Sequence, residues 1–121
     1  ETTGRRLKTL RQLIGRQGED QALNYLLKQG LSLLVSNYST RGGEVDHVML
    51  HDGTLVFVEV RKRGRGARVD AASSVTPAKQ QRIRRAAKHF LLAERQHAHR
   101  TLRFDVVAID CDQLNWISGA F

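Results

Sequence analysis

Two alternating segments joined by a tight turn restrict this fold more than any other feature of the sequence. Glu44 to Leu50 alternates as a β-strand, and Leu55 to Arg61 forms the return strand. His51-Asp52-Gly53 between them supplies the positive φ that a hairpin turn demands. Val-Phe-Val-Glu-Val-Arg in the return strand is rich in β-branched residues and reads as nearly buried. A strand of that kind belongs in a sheet with other elements packed on it.

The flanking sequence supplies such elements. Residues from about Leu13 to Gln29 read as a helix, with Ile14, Ala22, Leu23, Tyr25, Leu26 and Leu27 as its apolar stripe and Gly30 at its C-terminus. Leu31 to Ser36 is a short apolar run, a connecting strand or an extended lead-in. Residues 62–74 read as a loop, and Thr76-Pro77 then opens a helix, with threonine as N-cap and proline at the first helical position. That helix is expected to reach about Arg95, with Ile83, Ala86, Ala87, Phe90 and Leu91 facing inward. Arg103 to Asp110 reads as a strand, and Leu114 to Ile117 as a short last one. One α/β sheet with helices packed on it is the economical arrangement. With 121 residues the chain makes one domain, expected over residues 13–121 after a flexible extension of residues 1–12.

Cys111 is the sole cysteine, which excludes a disulfide framework and a thiolate zinc site. The longest apolar runs are far too short to span a bilayer, and no signal peptide is visible, so a cytoplasmic, reducing address without a membrane partner is expected. Met49 is the only methionine, so residues before Glu1 are expected to be missing.

Charge narrows the partners. The net charge is +8, and residues 61–100 carry twelve of the 20 basic side chains against only Asp70 and Glu94. A local excess of this kind is a footprint for a polyanion, most commonly nucleic acid. The basic helix lacks the broad apolar face that an interfacial membrane helix needs.

Alternate residues of a strand share a face, so Glu44 and Asp46 point the same way, and Phe57, Glu59 and Arg61 share one face of the return strand. A carboxylate in a nearly buried strand needs a cation or several donors. Two readings follow from the spacing. Asp46 and Glu59 could hold a divalent metal, since Mg²⁺ commonly takes one or two protein carboxylates and leaves its other positions to water and phosphate. Alternatively Glu59 pairs with Arg41, Arg61 or Arg103.

Gly43-Glu44-Val45-Asp46 followed by Val58-Glu59-Val60-Arg61 resembles the D…ExK signature of the PD-(D/E)xK nuclease superfamily. More narrowly, Gly18-Glu19, Arg41 to Asp46, Phe57 to Arg61, Lys79, Arg103 to Val107 and Ala120-Phe121 resemble, in order and spacing, the YraN-type family of uncharacterised bacterial proteins. The resemblance runs from about Gly15 to the C-terminus. It implies a restriction-endonuclease-like αβββαβ core, a central mixed sheet flanked by helices, distantly related to archaeal Holliday-junction resolvases. It also implies a metal-dependent endonuclease acting on structured or branched DNA, with Mg²⁺ or Mn²⁺ on Asp46 and Glu59. Glu19 resembles the acidic residue that the first helix contributes in many relatives; read alone, it is equally an exposed helix glutamate. By analogy with enzymes that cut paired strands, a homodimer is expected.

One position departs from the signature. Where the motif has lysine, this chain has Arg61, whose guanidinium stays protonated and forks onto phosphate but cannot act as a base. Lys62 is turned to the opposite face by alternation. Lys79 is the better substitute, one turn before Ile83 on the inward stripe of the second helix, where snorkelling to solvent is its other reading. The expected catalytic group is therefore Asp46, Glu59, Arg61, Lys79 and Glu19. Arg41, Lys62, Arg63, Arg65, Arg68, Arg82, Arg85 and Lys88 are the expected contacts to the nucleic-acid backbone, with little sequence specificity because few aromatics interleave them.

Three function classes remain open on this reading: an endonuclease, a nucleic-acid-binding module without catalysis, and an adaptor whose basic face meets an acidic protein. Ser73, Ser74 and Cys111 lack a triad context, and Gly64 and Gly66 lack the residues of a nucleotide-triphosphate loop. His97 and His99 near a helix end carry no assignment.

Overall fold

A computed structural model describes residues 20–63, 74–110 and 113–121, apart from the side chain of Arg63. Glu19, Arg65, Arg68, Cys111 and the expected extension over residues 1–12 lie outside the described residues. Helix α1 is described over residues 20–28. Strands β1 (Ser32–Thr40), β2 (Gly43–His51) and β3 (Thr54–Arg63) follow, then helix α2 (Pro77–Ala93), a 3-10 turn (Arg95–His97), β4 (Leu102–Asp110) and β5 (Gln113–Ile117).

The strands form a five-stranded sheet in the order β1-β2-β3-β4-β5. All neighbours are antiparallel except β3 and β4, which run parallel with Glu59 opposite Val106. That one parallel pair requires a crossover, and α2 lies within it. The expected α/β architecture, a mixed sheet flanked by helices, is the one observed.

The alternation of β3 divides the core into two layers. Leu55 and Phe57 pack with Val45, Val48, Ile83, Ala86, Ala87, Phe90, Phe104 and Val106 on the α2 side. Val56 and Val58 pack with Met49, Val107, Ile109 and, from α1, Ala22 and Leu26 on the other. Phe57 stands near the centre of the first layer, stacked on Phe104 at 5.6 Å and edge-on to Phe90 at 6.1 Å. Each fully buried side chain of that size contributes about 2–3 kcal/mol through removal of apolar area from water.

The turns follow their chemistry. Asp52 and Gly53 adopt φ of 49° and 85°, as the β2–β3 hairpin requires, and Gly42 reaches 78° between β1 and β2. Thr76 caps α2 by accepting the Lys79 N–H at 3.2 Å, and Pro77 occupies the first turn.

Three boundaries differ from the sequence reading. β1 extends to Thr40 rather than stopping near Ser36, because Tyr38, Ser39 and Thr40 pair with Val45, Glu44 and Gly43. β3 continues through Lys62 and Arg63, which pair with Ile109 and Asp110, so these two residues belong to a strand and not to the following loop. α2 stops at Ala93; Glu94 leaves helical geometry while its N–H still bonds the Phe90 carbonyl. Among the described residues no helix is long and apolar enough to cross a membrane.

Candidate active site at the mouth of the central hairpin

Regular pairing of β2 with β3 ends at His47 and Val58. Beyond that point Asp46 Oδ2 accepts the Val60 N–H at 2.7 Å, a side chain bonding where a backbone carbonyl would otherwise serve. The interruption also breaks the alternation of β2, since Val45 and Val48 both pack into the α2-side layer. His47 turns away, is 2 % exposed, and has its Nδ1 2.9 Å from Ser36 Oγ.

Glu59 lies on the α2 face of β3 and is only 3 % exposed. Its Oε1 is buried with no hydrogen-bond partner, while two cations converge on Oε2: Lys79 Nζ at 3.7 Å and Arg61 Nη1 at 3.9 Å. Burial first, and then the charge of Asp46, pushes the Glu59 carboxyl up to about 8 in spite of Lys79 and Arg61. Burial raises Asp46 as well, opposed chiefly by the Val60 N–H. Glu59, buried, and Asp46, half-buried, also share a hydrogen bond that raises the one and lowers the other, and both carboxyls resist ionisation.

Lys79 is therefore not a snorkelling residue. It stands in the first turn of α2 with Nζ between Glu59 and Glu44, 3.6 Å from Glu44 Oε2. Glu44 also binds Arg82 through Oε1. Close approach of α2 to β2 makes this possible. A Cβ at Gly43 would lie 2.7 Å from Ala86 N and 2.9 Å from the Arg82 carbonyl, so only glycine lets helix and strand meet here.

The expected backbone contacts separate into groups. Arg41, Arg82, Arg85, Lys62 and Lys88 are all exposed. Arg82 joins the site through Glu44, and Arg85 lies over the β1–β2 turn, within 3.8 Å of a Cβ built on Gly42. Arg41 is in that same turn and Lys88 one helical turn beyond Arg85, so a basic rim runs along α2 from the carboxyl pair. Arg84 instead stacks over Phe104 and Phe121, 4.9 and 5.3 Å from their ring centroids.

The sequence reading passed over two polar clusters. Asp105 is fully buried yet accepts from Arg103 Nε and Nη2, Trp116 Nε1 and Gly119 N, all within 3.0 Å. Arg103 and Asp105, two apart on one strand, were the available signal. Tyr38 Oη lies 2.5 Å from His89 Nδ1, and nothing local predicts that pairing. His97, left without assignment, accepts from Arg100 Nε at 2.9 Å and stacks on Phe90. Among the described residues no group of three or more His, Cys, Asp or Glu is arranged to hold a metal.

Comparison with known proteins places this geometry in context. A family model described as "Uncharacterised protein family UPF0102" matches residues 18–109. A UPF0102 protein of Herminiimonas arsenicoxydans is 50% identical over 116 residues, covering 96% of this chain and 92% of the relative. Another, from Saccharophagus degradans, is 49% identical over 107 residues, covering 88% and 91%.

Proposed function

The chain belongs to the UPF0102 family, and from that premise we propose that it is a metal-dependent endonuclease hydrolysing phosphodiesters in structured or branched DNA. The observation that carries the reading is the pair Asp46 and Glu59, with its unpartnered Glu59 Oε1. The likeness of Asp46…Glu59-Val60-Arg61 to the PD-(D/E)xK signature supports it, as does the mixed sheet with α2 in its parallel crossover.

The residues fit a divalent ion. A buried carboxyl with one oxygen that no N–H reaches, beside a second carboxyl, is a hard-oxygen pair of the kind such a cation takes. Asp46 and Glu59 would hold Mg²⁺ or Mn²⁺, which when bound supplies Lewis-acid charge and lowers the pKa of a water. The chain's own residues do the rest. The Val60 N–H fixes the Asp46 carboxylate in one orientation. Lys79 and Arg61 place positive charge beside Glu59, where negative charge develops on a phosphoryl group. Arg61 cannot accept a proton, so its part is to clamp and to neutralise. Arg41, Arg85 and Lys88 along the rim would track the phosphate backbone without reading bases.

The second reading is a nucleic-acid-binding module on the same fold. It is favoured by arginine in place of the motif lysine and by a described ligand set of only two carboxyls.

The test is cleavage of linear duplex, single-stranded, flap and four-way-junction DNA with Mg²⁺ and then Mn²⁺. Asp46→Asn and Glu59→Gln serve as controls for contaminating nuclease. Cutting by the parent chain that both variants lose is the expected result, and binding without cutting in either metal would leave the second reading.

A further inference from the structure

Glu44 is the acidic residue that neither the metal site nor the basic rim accounts for. Its two carboxylate oxygens are divided between two cations: Oε1 takes Arg82 Nη2, and Oε2 lies 3.6 Å from Lys79 Nζ. The same Lys79 Nζ is 3.7 Å from the buried Glu59 Oε2. A carboxylate bridging a guanidinium and an ammonium at the first turns of a helix reproduces what a phosphodiester presents with its two nonbridging oxygens. The Glu44 side chain is 45% exposed and can swing into solvent, whereas Glu59 at 5% cannot.

We propose that the Arg82–Lys79 gap is a phosphate site, that the Glu44 carboxylate fills it as an internal stand-in, and that a backbone phosphate of the substrate displaces it. This rests on the nucleic-acid reading above and deepens it. The site takes a phosphodiester adjacent to the carboxyl pair, so Glu44 keeps Arg82 and Lys79 oriented while nothing is bound and withdraws when DNA arrives. The exposed Arg85, over the adjacent turn at Gly42, adds further positive charge beside the gap.

The experiment measures binding of a fluorescent four-way junction to the full chain in EDTA, so that cleavage cannot intervene, at several salt concentrations. Glu44→Gln removes the stand-in, and Glu44→Asp keeps its charge but shortens its reach. Asp52→Asn, on the β2–β3 turn away from Lys79 and Arg82, controls for net charge; its side chain is 95% exposed. Glu44→Gln and Glu44→Asp are expected to bind about three- to ten-fold tighter than the parent. The slope of log K against log salt should be the same for the Gln variant and the parent, because the same phosphate is engaged in both once Glu44 has withdrawn. Asp52→Asn should change affinity less than about two-fold, and adding Arg82→Ala to Glu44→Gln should erase the gain. Inorganic phosphate alone should raise the melting temperature of Glu44→Gln more than that of the parent.

Equal effects of Glu44→Gln and Asp52→Asn, or a gain that survives loss of Arg82, would overturn the assignment while leaving the nucleic-acid reading intact. Failure of the parent and every variant to bind DNA at low salt would overturn both, and the phosphate response would then show whether a free anion is the ligand.

Discussion

The Asp46 carboxylate accepts the Val60 N–H at 2.7 Å, just past the last regular pair of β2 and β3, His47 and Val58. One oxygen of Asp46 thus does the work of a backbone carbonyl and holds the mouth of the hairpin. The carboxyl group is pinned beside Glu59 by backbone geometry and not by side-chain packing alone. Asp46→Ala is expected to destabilise the fold as well as abolish cleavage, by about 1 kcal/mol for a half-buried N–H left without its partner. Asp46→Asn, whose amide oxygen can still accept, should retain most of that stability; urea denaturation distinguishes the two.

Burial and then the charge of Asp46 push the Glu59 carboxyl up to about 8, and burial raises Asp46 with it. A carboxyl raised on folding contributes stability that is complete below its unfolded value, 4.5 for Glu59, and is lost as pH climbs through about 8. In EDTA the urea midpoint should therefore fall between pH 5 and pH 9, and Glu59→Gln should flatten that dependence. A parent and variant with parallel pH profiles would remove Glu59 as the titrating group.

Gly43 sets how near α2 comes to β2. With a Cβ placed 2.7 Å from Ala86 N, Gly43→Ala forces the backbones apart at a cost of about 2 kcal/mol. The same displacement moves Lys79 and Arg82 from Glu44, so cleavage should fall further than the lost stability explains. Denaturation and single-turnover rates on the same preparation check both halves.

Much of this architecture was legible because local chemistry and tertiary demand agree. Asp52-Gly53 and Thr76-Pro77 each announce one geometry, and the alternation of Val56, Phe57 and Val58 matches the two layers they enter. β1 was only half visible. It is an edge strand with a register shift between Leu33 and Val35 and positive φ at Asn37, so its pattern has no clean period. Lys79, singled out by its position on the helical stripe, has its Nζ 3.7 Å from Glu59 Oε2. The ion pairs of Glu44 with Arg82 and Lys79 required the close helix–strand approach at Gly43, which no spacing within either element encodes.

Asp105 shows the complementary case, a buried charge serving the scaffold. Its four hydrogen bonds tie β4 to Trp116 on β5 and to Gly119 in the C-terminal turn. Asp105→Ala is expected to cost about 3–5 kcal/mol by stranding the Arg103 guanidinium and two N–H donors. Chemical denaturation should register that loss, with DNA affinity unchanged under conditions where the variant is folded.

Lys79 and Arg61 share one oxygen of Glu59, so each partly covers for the other. Lys79→Met should lower the single-turnover cleavage rate by about 10²-fold, the usual cost of one preorganised charge. Arg61→Lys, restoring the motif residue, should leave the site active.

The most direct test of the central claim, that Asp46 and Glu59 form a divalent-cation site, is calorimetric titration of the full chain with Mn²⁺ at pH 7. One ion per chain is expected, with protons released because Glu59 must ionise to bind it, and with the heat lost in Glu59→Gln and Asp46→Asn. Mn²⁺ bound equally by the parent and by Glu59→Gln, or by neither, would contradict the account.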